Sequence, residues 1–220
     1  MGKQNRYKLI REIEEKSTEK IINALLTGEL IADYQFPIHC SVPAEDREEV
    51  LKQSIANITY DPNSKVPYRP NFLDMGCGDG VFLIDASSVG YNAIGIEIEK
   101  PLVNIAKENI RDAYGKKILV EPQNMIQLIH GDMFNPEIYK SEGLEISDID
   151  VFYFLQKSSI EDKLVGFIDK NAKSNARVLV YGITNISNYL DNMTKKAGNW
   201  EPEIQKNCEG IYFAQFKIDK

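Results

Sequence analysis

The sequence predicts an α/β fold: a doubly wound, mostly parallel seven-strand sheet that ends in an antiparallel hairpin, with helices at the N-terminus. Between residues 71 and 183, short apolar runs alternate with segments of helical periodicity. This pattern is typical of parallel strands covered by helices on both faces. The last two strand-like segments, 203–207 and 211–218, are separated only by a Glu-Gly turn, and strands joined by so short a link must be antiparallel.

Helical segments precede the sheet. Apolar residues recur at helical spacing over residues 7–27, which predicts one amphipathic helix or two short ones. A second helix is predicted over 44–57, because a proline stands near its start and acidic residues occupy its first turn. Three prolines within 61–71 predict a loop. We therefore expect a helical extension over 1–70 and an α/β domain over 71–220, folded as one compact unit.

The alternating region divides into strands and helices of ordinary length. The run 151–155 is apolar throughout, as in strands that are buried on both faces. A proline opens the helix at 101–114. The predicted strands are 71–75, 93–98, 126–129, 149–155 and 177–183, and the predicted helices are 81–89, 101–114 and 159–171.

Length and composition exclude several classes of protein. The 220 residues, 43% of them hydrophobic, fit one globular domain. No segment approaches the ~20 apolar residues of a membrane span, and the charged N-terminus lacks the apolar region of a secretory signal, so we expect a cytoplasmic protein. Neither a disulfide framework nor a metal site is expected, because the cysteines and histidines are few and scattered: Cys40, Cys77, Cys208, His39 and His130.

The charge pattern bears on the partners. The formal net charge is −7, and the basic residues are scattered. Nucleic-acid-binding proteins instead cluster lysines and arginines against phosphates. A basic protein or peptide therefore suits this chain better than a polyanion. The sequence predicts no particular oligomeric state.

A glycine-rich loop, Asp74-Met75-Gly76-Cys77-Gly78-Asp79-Gly80, follows the first predicted strand. Its spacing is G-x-G-x-G, whereas a dinucleotide fingerprint requires a third glycine where Val81 stands, and no G-K-[S/T] follows. The negative charge of a carboxylate at Asp74 disfavours a pyrophosphate, which is also negative, but favours a ligand that carries an ammonium and a sulfonium. In open α/β sheets, ligands bind at this place, outside the carboxyl ends of the strands.

Two further acids lie at the ends of the next strands. Glu97 ends the second strand, where a carboxylate can accept hydrogen bonds from both hydroxyls of a ribose. Asp132 follows the third strand, within His130-Gly131-Asp132-Met133, and could accept a hydrogen bond from the amine of adenine. Taken singly, Glu97 could be a solvated strand end and Asp132 a helix cap.

Together, these motifs resemble those of the Rossmann-like, class I S-adenosylmethionine-dependent methyltransferases. The resemblance covers about residues 71–183 and the terminal hairpin, and it implies S-adenosylmethionine as cofactor. It also implies that Asp74, Gly76 and Gly78 hold the methionine part, Glu97 the ribose, and Asp132 and Met133 the adenine, with Cys77, Gly80 and Ile98 completing the cofactor site.

The methyl acceptor is expected at the exit of the fourth strand. The sequence there, Val151 to Gln156, lacks the Asn-Pro-Pro-Tyr of amino-group methyltransferases that act on adenine or glutamine, and no Pro-Cys pair supplies a cytosine-type nucleophile. This apolar exit and a short link from the fifth strand to Trp200 are similar to small archaeal-type protein-lysine methyltransferases. That similarity implies a protein amine, lysine, as acceptor, with Tyr153, Phe154 and Gln156 lining its pocket.

Other interpretations remain open from the sequence. Tyr153 and Phe154 could be only the core of a buried strand. The chain could methylate RNA or a small molecule, or it could bind the cofactor without catalysis and act as an interaction module. A nicotinamide-dependent oxidoreductase is disfavoured by Val81.

Overall fold

The computed structural model describes residues 2–30, 42–56, 58, 68–120, 125–157, 159–208 and 210–219. The helices are α1 (Lys3–Leu26), α2 (Ala44–Ala56), α3 (Val81–Val89), α4 (Lys100–Gly115), α5 (Pro136–Ser141), α6 (Glu161–Asn171) and α7 (Ile186–Lys196). The strands are β1 (Asn71–Met75), β2 (Asn92–Glu97), β3 (Ile126–His130), β4 (Val151–Leu155), β5 (Arg177–Ile183), β6 (Trp200–Cys208) and β7 (Ile211–Ile218).

The seven strands form one sheet in the order β3-β2-β1-β4-β5-β7-β6. Strands β1 to β5 are parallel, whereas β7 is antiparallel to both β5 and β6. The predicted fold class is therefore confirmed, including the hairpin. The strand order reverses between β1 and β4, and in open α/β sheets ligands bind near such a switch point, outside the carboxyl ends of the strands.

Strand β4 shows why the sheet is covered on both faces. Val151 and Tyr153 belong to the core cluster that contains Phe82 of α3. Phe152 and Phe154 belong to the opposite cluster, which contains residues of α6. Successive side chains of a strand point to opposite faces, so the continuous apolar run fills both layers of the core, as its sequence predicts.

The N-terminal helices pack on the α/β region. Ile10 and Ile13 of α1 are buried in a cluster with Ile118 and Leu119, which follow α4. Arg47 of α2 is buried and links three helices: its guanidinium binds Glu14 of α1 and, at 2.6 Å, Asp85 of α3. Helix α1 spans 24 residues, but many of its positions are charged. Among the described residues, no helix is both long and apolar enough to cross a bilayer.

Of the two alternatives predicted for residues 7–27, the structure shows the single helix, α1, which ends at Leu26. The structure departs from the sequence predictions in other places. The short link predicted between β5 and Trp200 is wrong, because it contains α7, and β6 begins at Trp200 rather than at residue 203. Helix α5 is likewise not predicted. Most of the predicted 61–71 loop and the end of the 44–57 helix lie outside the described residues.

Helix α7 has signals that the sequence contains in full. The side chain of Asn185 caps it, accepting a hydrogen bond from the N–H of Asn188 at 3.2 Å. Tyr189 and Met193, four residues apart, are its buried residues. Ile186 and Leu190 pack against the same core cluster, so the apolar residues of α7 recur at the i, i+3, i+4, i+7 spacing of an amphipathic helix.

Candidate functional site

The glycine loop between β1 and α3 folds back onto the end of β2. Gly76, Gly78 and Gly80 all have positive φ angles, of 94°, 54° and 74°, a conformation that only glycine adopts readily. The N–H groups of Gly76 and Cys77 both donate to the carbonyl of Ile96, at 2.9 and 3.0 Å. The three glycines are therefore required by the path of the backbone.

Close packing holds this loop from below. A Cβ added at Gly95 of β2 would lie 2.4 Å from Leu83 and 2.8 Å from the Sγ of Cys77. A Cβ added at Gly80 would lie 3.0 Å from Ala106 of α4. The loop thus rests directly on β2 and α4, with little space for movement on that side.

Glu97 joins the loop to the end of β2. One carboxylate oxygen accepts from the N–H of Gly78 at 2.9 Å, and the other accepts from the N–H of Glu99 at 2.8 Å. Burial raises the pKa of Glu97, and these backbone donors partly oppose that rise. A carboxylate offers about four acceptor positions, so Glu97 keeps capacity for ligand hydroxyls. The interpretation of Glu97 as a solvated strand end is wrong, because the residue is only 7% exposed.

Asp74 is buried beneath the loop, with 3% of its surface exposed. Its pKa is raised well above the ordinary value, first by burial and then by the negative charges of Glu97 and Asp79. A buried acid among other acids is stabilised in its charged form by a cation. The site is thus electrostatically prepared for a positively charged ligand group.

The turn after β3 meets the same loop. The N–H of Gly131 donates to the carbonyl of Glu97 at 2.9 Å. The Cε of Met133 lies 3.7 Å from the position that a Cβ would take at Gly76. Asp132 is exposed and accepts from the N–H of Phe134 at 2.9 Å, so it closes the turn and keeps acceptor capacity toward solvent.

The structure therefore brings the three sequence motifs together at one edge of the sheet. Ile98, which follows Glu97, is 59% exposed there, a large apolar side chain in contact with solvent. The ring Nε2 of His130 lies 3.1 Å from the carbonyl of Ile98. Every residue predicted to hold the cofactor lies within or beside this region: Asp74, Gly76, Cys77, Gly78, Gly80, Glu97, Ile98, Asp132 and Met133.

The residues predicted to line an acceptor pocket are placed differently. The ring of Tyr153 is stacked on Phe82, with 4.0 Å between ring centroids, and is buried in the core. Burial, and then the charge of Asp74, raise its pKa. Phe154 is buried on the opposite face. Gln156 is half-buried beyond the end of β4, where its N–H donates to the carbonyl of Tyr181 at 2.7 Å.

Among the described residues, no group of three or more His, Cys, Asp or Glu is arranged to hold a metal ion. Cys77 and Cys208 are both buried, and burial raises the pKa of Cys77. His39 and Cys40 lie outside the described residues.

No protein-family model matches the chain, and no curated protein matches its sequence. Its structure is similar to that of an RNA methyltransferase from Salinibacter ruber in complex with S-adenosyl-L-homocysteine, at 20% identity and a TM-score of 0.52, covering 78% of this chain and 92% of that chain. It is also similar to a ribosomal protein L11 methylase from Lactobacillus delbrueckii subsp. bulgaricus, at 12% identity and a TM-score of 0.53, covering 80% and 79% of the two chains.

A third similar structure is a magnesium protoporphyrin IX methyltransferase from Synechocystis PCC 6803 with bound S-adenosylmethionine. The identity is 13% and the TM-score 0.56, and the match covers 80% of this chain and 79% of that one. These three proteins have different acceptors: an RNA, a ribosomal protein and a porphyrin. The likeness at this level of identity establishes that the chain has the fold of class I methyltransferases.

Proposed function

We propose that this chain is an S-adenosylmethionine-dependent methyltransferase. The observation that carries the proposal is the meeting of three acids with a glycine loop at the carboxyl ends of β1, β2 and β3, beside the switch point of the sheet. Asp74, Glu97 and Asp132 each stand at the end of a different strand. A single ligand with an ammonium, a ribose and an adenine would engage all three.

Each part of the site fits one part of that ligand. The buried Asp74 would pair with the ammonium, whose charge offsets the unfavourable environment of the carboxylate. Glu97 would accept hydrogen bonds from the ribose hydroxyls. Asp132 would accept from the adenine amine, with Met133 and the exposed Ile98 supplying apolar contact. The narrow turn from Gly76 to Gly80 would let the methionine part approach the backbone closely.

When bound, the cofactor supplies a methyl group on a sulfonium for in-line displacement by the acceptor. The task of the chain is then to hold donor and acceptor in attack geometry. The glycine loop and Glu97 would hold the donor, because two hydrogen bonds and close packing fix the positions of the loop and of Glu97 themselves. The stacked Tyr153 and Phe82 support the loop region from within the core.

We propose a protein amine, lysine, as the acceptor. The net charge of −7 favours encounter with a basic substrate, and the β4 exit lacks the Asn-Pro-Pro-Tyr of adenine and glutamine methyltransferases. One structural neighbour is a methylase of a ribosomal protein. In this proposal Gln156, just beyond the carboxyl end of β4, meets the acceptor, and Tyr153 supports the acceptor site from the core beneath it.

The acceptor class is tested by labelling a cell extract with S-adenosylmethionine that carries a radioactive methyl group. We expect the label to be lost on protease treatment and to survive ribonuclease. Label that is released by ribonuclease contradicts a protein acceptor and favours RNA. The Glu97→Ala variant serves as the control. If this variant transfers as much label as the wild type, the labelling does not depend on the proposed cofactor site.

Methylation of a lysine peptide should depend on both pH and salt. The acceptor amine must be neutral, and its ordinary pKa is about 10.4, so kcat/KM should rise with pH as the amine loses its proton. It should fall as salt is raised, because the Debye length shortens from ~10 Å at 0.1 M to ~3 Å at 1 M. A rate that is independent of both conditions contradicts a lysine acceptor steered by the acidic surface.

Asp74→Asn should stabilise the ligand-free protein while weakening cofactor binding strongly. Above the ordinary pKa of about 3.9, an unfolded chain ionises Asp74 while the folded chain retains the proton up to its raised pKa. The folded state therefore binds more protons in this window, and its free energy of unfolding falls as pH rises. Asparagine does not ionise, so the free energy of unfolding of Asp74→Asn does not fall with pH for this reason.

Thermal unfolding from pH 4 to pH 8 checks this prediction, together with calorimetric titration of S-adenosylmethionine. We expect a higher Tm for Asp74→Asn at neutral pH, and in the wild-type protein an affinity that rises with pH as Asp74 ionises. A variant that is less stable than the wild type at pH 7 and binds the cofactor equally well contradicts the assigned role of Asp74.

A further inference from the structure

Asp79, the residue between the last two glycines of the loop, is tied to the N-terminal helix. Its carboxylate accepts a hydrogen bond from the hydroxyl of Ser17 in α1, 62 residues earlier in the chain. Both residues are fully buried. The carboxylate also accepts from the N–H of Val81, at 3.3 Å. A buried carboxylate in a glycine turn is therefore held by a helix that lies outside the α/β region.

The backbone of the same residue is held by α4. The side-chain amide of Asn109 donates to the carbonyl of Asp79 at 2.9 Å. The Nζ of Lys20, one turn after Ser17, lies 3.4 Å from the amide oxygen of Asn109 and 2.9 Å from Glu108. Helices α1 and α4 thus hold Asp79 together, through its side chain and its carbonyl.

The neighbours of Asp79 are the residues that the cofactor would meet. Gly78 donates its N–H to Glu97, the proposed ribose acceptor. Gly80 precedes α3, whose first N–H groups are unpaired within the helix. Because Asp79 lies between these two glycines, a displacement of its backbone moves both of them. The hydroxyl of Ser17 therefore binds the residue that lies directly between two glycines of the proposed cofactor site.

We propose that Ser17 is a positioning residue for the cofactor: through Asp79, it holds Gly78 and Gly80 in the conformation that binds S-adenosylmethionine. Helix α1 is then part of the binding machinery rather than an appendage. Removal of the hydroxyl leaves a buried carboxylate with one donor fewer, which is unfavourable. The carboxylate regains solvation by moving the loop out of its binding conformation. This inference rests on the proposed function.

The test compares Ser17→Ala with Ile21→Val in the full chain. Ile21 lies one turn later on α1 and is buried against Leu102 and Ile105 of α4, so its truncation loosens the same helix without altering the bond to Asp79. We expect Ser17→Ala to raise the Kd for S-adenosylmethionine about tenfold, equivalent to about 1.4 kcal/mol. Ile21→Val should lower Tm but keep Kd within twofold of the wild type.

Two further measurements separate positioning from general stability. In an Asp79→Ala background, Ser17→Ala should change Kd no further, because the hydroxyl acts only through that carboxylate. In the absence of cofactor, hydrogen exchange of the amides of residues 76–80 should be faster in Ser17→Ala but not in Ile21→Val.

The outcomes distinguish this inference from the proposed function. A wild-type chain that binds no S-adenosylmethionine overturns the proposed function itself. A wild-type chain that binds it, with an unchanged Kd in Ser17→Ala or with equal effects of Ser17→Ala and Ile21→Val, overturns only the positioning role. Unchanged exchange of residues 76–80 in Ser17→Ala overturns that role as well.

Discussion

Replacing Glu97 by alanine should weaken the binding of S-adenosylmethionine by a factor of 100 or more while the chain stays folded. Hydrogen bonds to a charged acceptor contribute about 1.5–3 kcal/mol each, and Glu97 is positioned to accept two from the ribose. Every 1.4 kcal/mol corresponds to about tenfold in Kd. The substitution also releases the N–H of Gly78, which the carboxylate binds at 2.9 Å, so the loop loses a fixed point.

Glu99→Ala is the matched control. It removes the same charge two residues later, from a half-buried side chain, and leaves its backbone N–H in place to donate to Glu97. Calorimetric titration should give a Kd near that of the wild type for Glu99→Ala and a much larger one for Glu97→Ala. Equal values for the two variants would mean that Glu97 has no role beyond its charge.

Replacing Arg47 by alanine should lower the free energy of unfolding by about 3–5 kcal/mol, the range observed when one partner of a buried ion pair is removed. The guanidinium binds Asp85 at 2.6 Å, Glu14, and the carbonyl of Val42 at 2.6 Å. Its removal leaves the buried carboxylate of Asp85 without this charge partner, at the junction of α1, α2 and α3.

Lys116→Ala provides the comparison for Arg47→Ala. Lys116 pairs with Glu12 of α1 at 2.6 Å, but both side chains are partly exposed, and such pairs contribute about 0–1 kcal/mol. Urea unfolding, with equal m-values for all three proteins, measures both losses. Similar losses in the two variants would show that burial of the Arg47 cluster has no special importance for stability.

The sequence predicted the parallel strands from their short apolar runs and the hairpin from its short turn, and both are local patterns. Val151 to Leu155 is such a run, and its alternate side chains fill the two core layers as expected. Helix α7 was missed although its apolar residues, Ile186, Tyr189, Leu190 and Met193, recur at helical spacing and pack against the core. The short stretch before Trp200 was assigned to a link because it is rich in polar residues.

The site was predictable to the extent that it is built from strand ends. Gly76 to Gly80 and Glu97 stand at fixed places relative to β1 and β2, so their spacing along the chain reports their position in space. The bond from Ser17 to Asp79 spans 62 residues and joins helix α1 to the glycine loop, so no local spacing reports it. The burial of Tyr153 against Phe82 likewise depends on how α3 packs on the sheet.

Calorimetric titration of the purified chain with S-adenosylmethionine, and separately with NAD, tests the cofactor assignment most directly. Asp74 and the G-x-G-x-G spacing predict saturable binding of S-adenosylmethionine at one site per chain and no heat of binding with NAD. Tight binding of NAD, with no response to S-adenosylmethionine, would contradict the assignment.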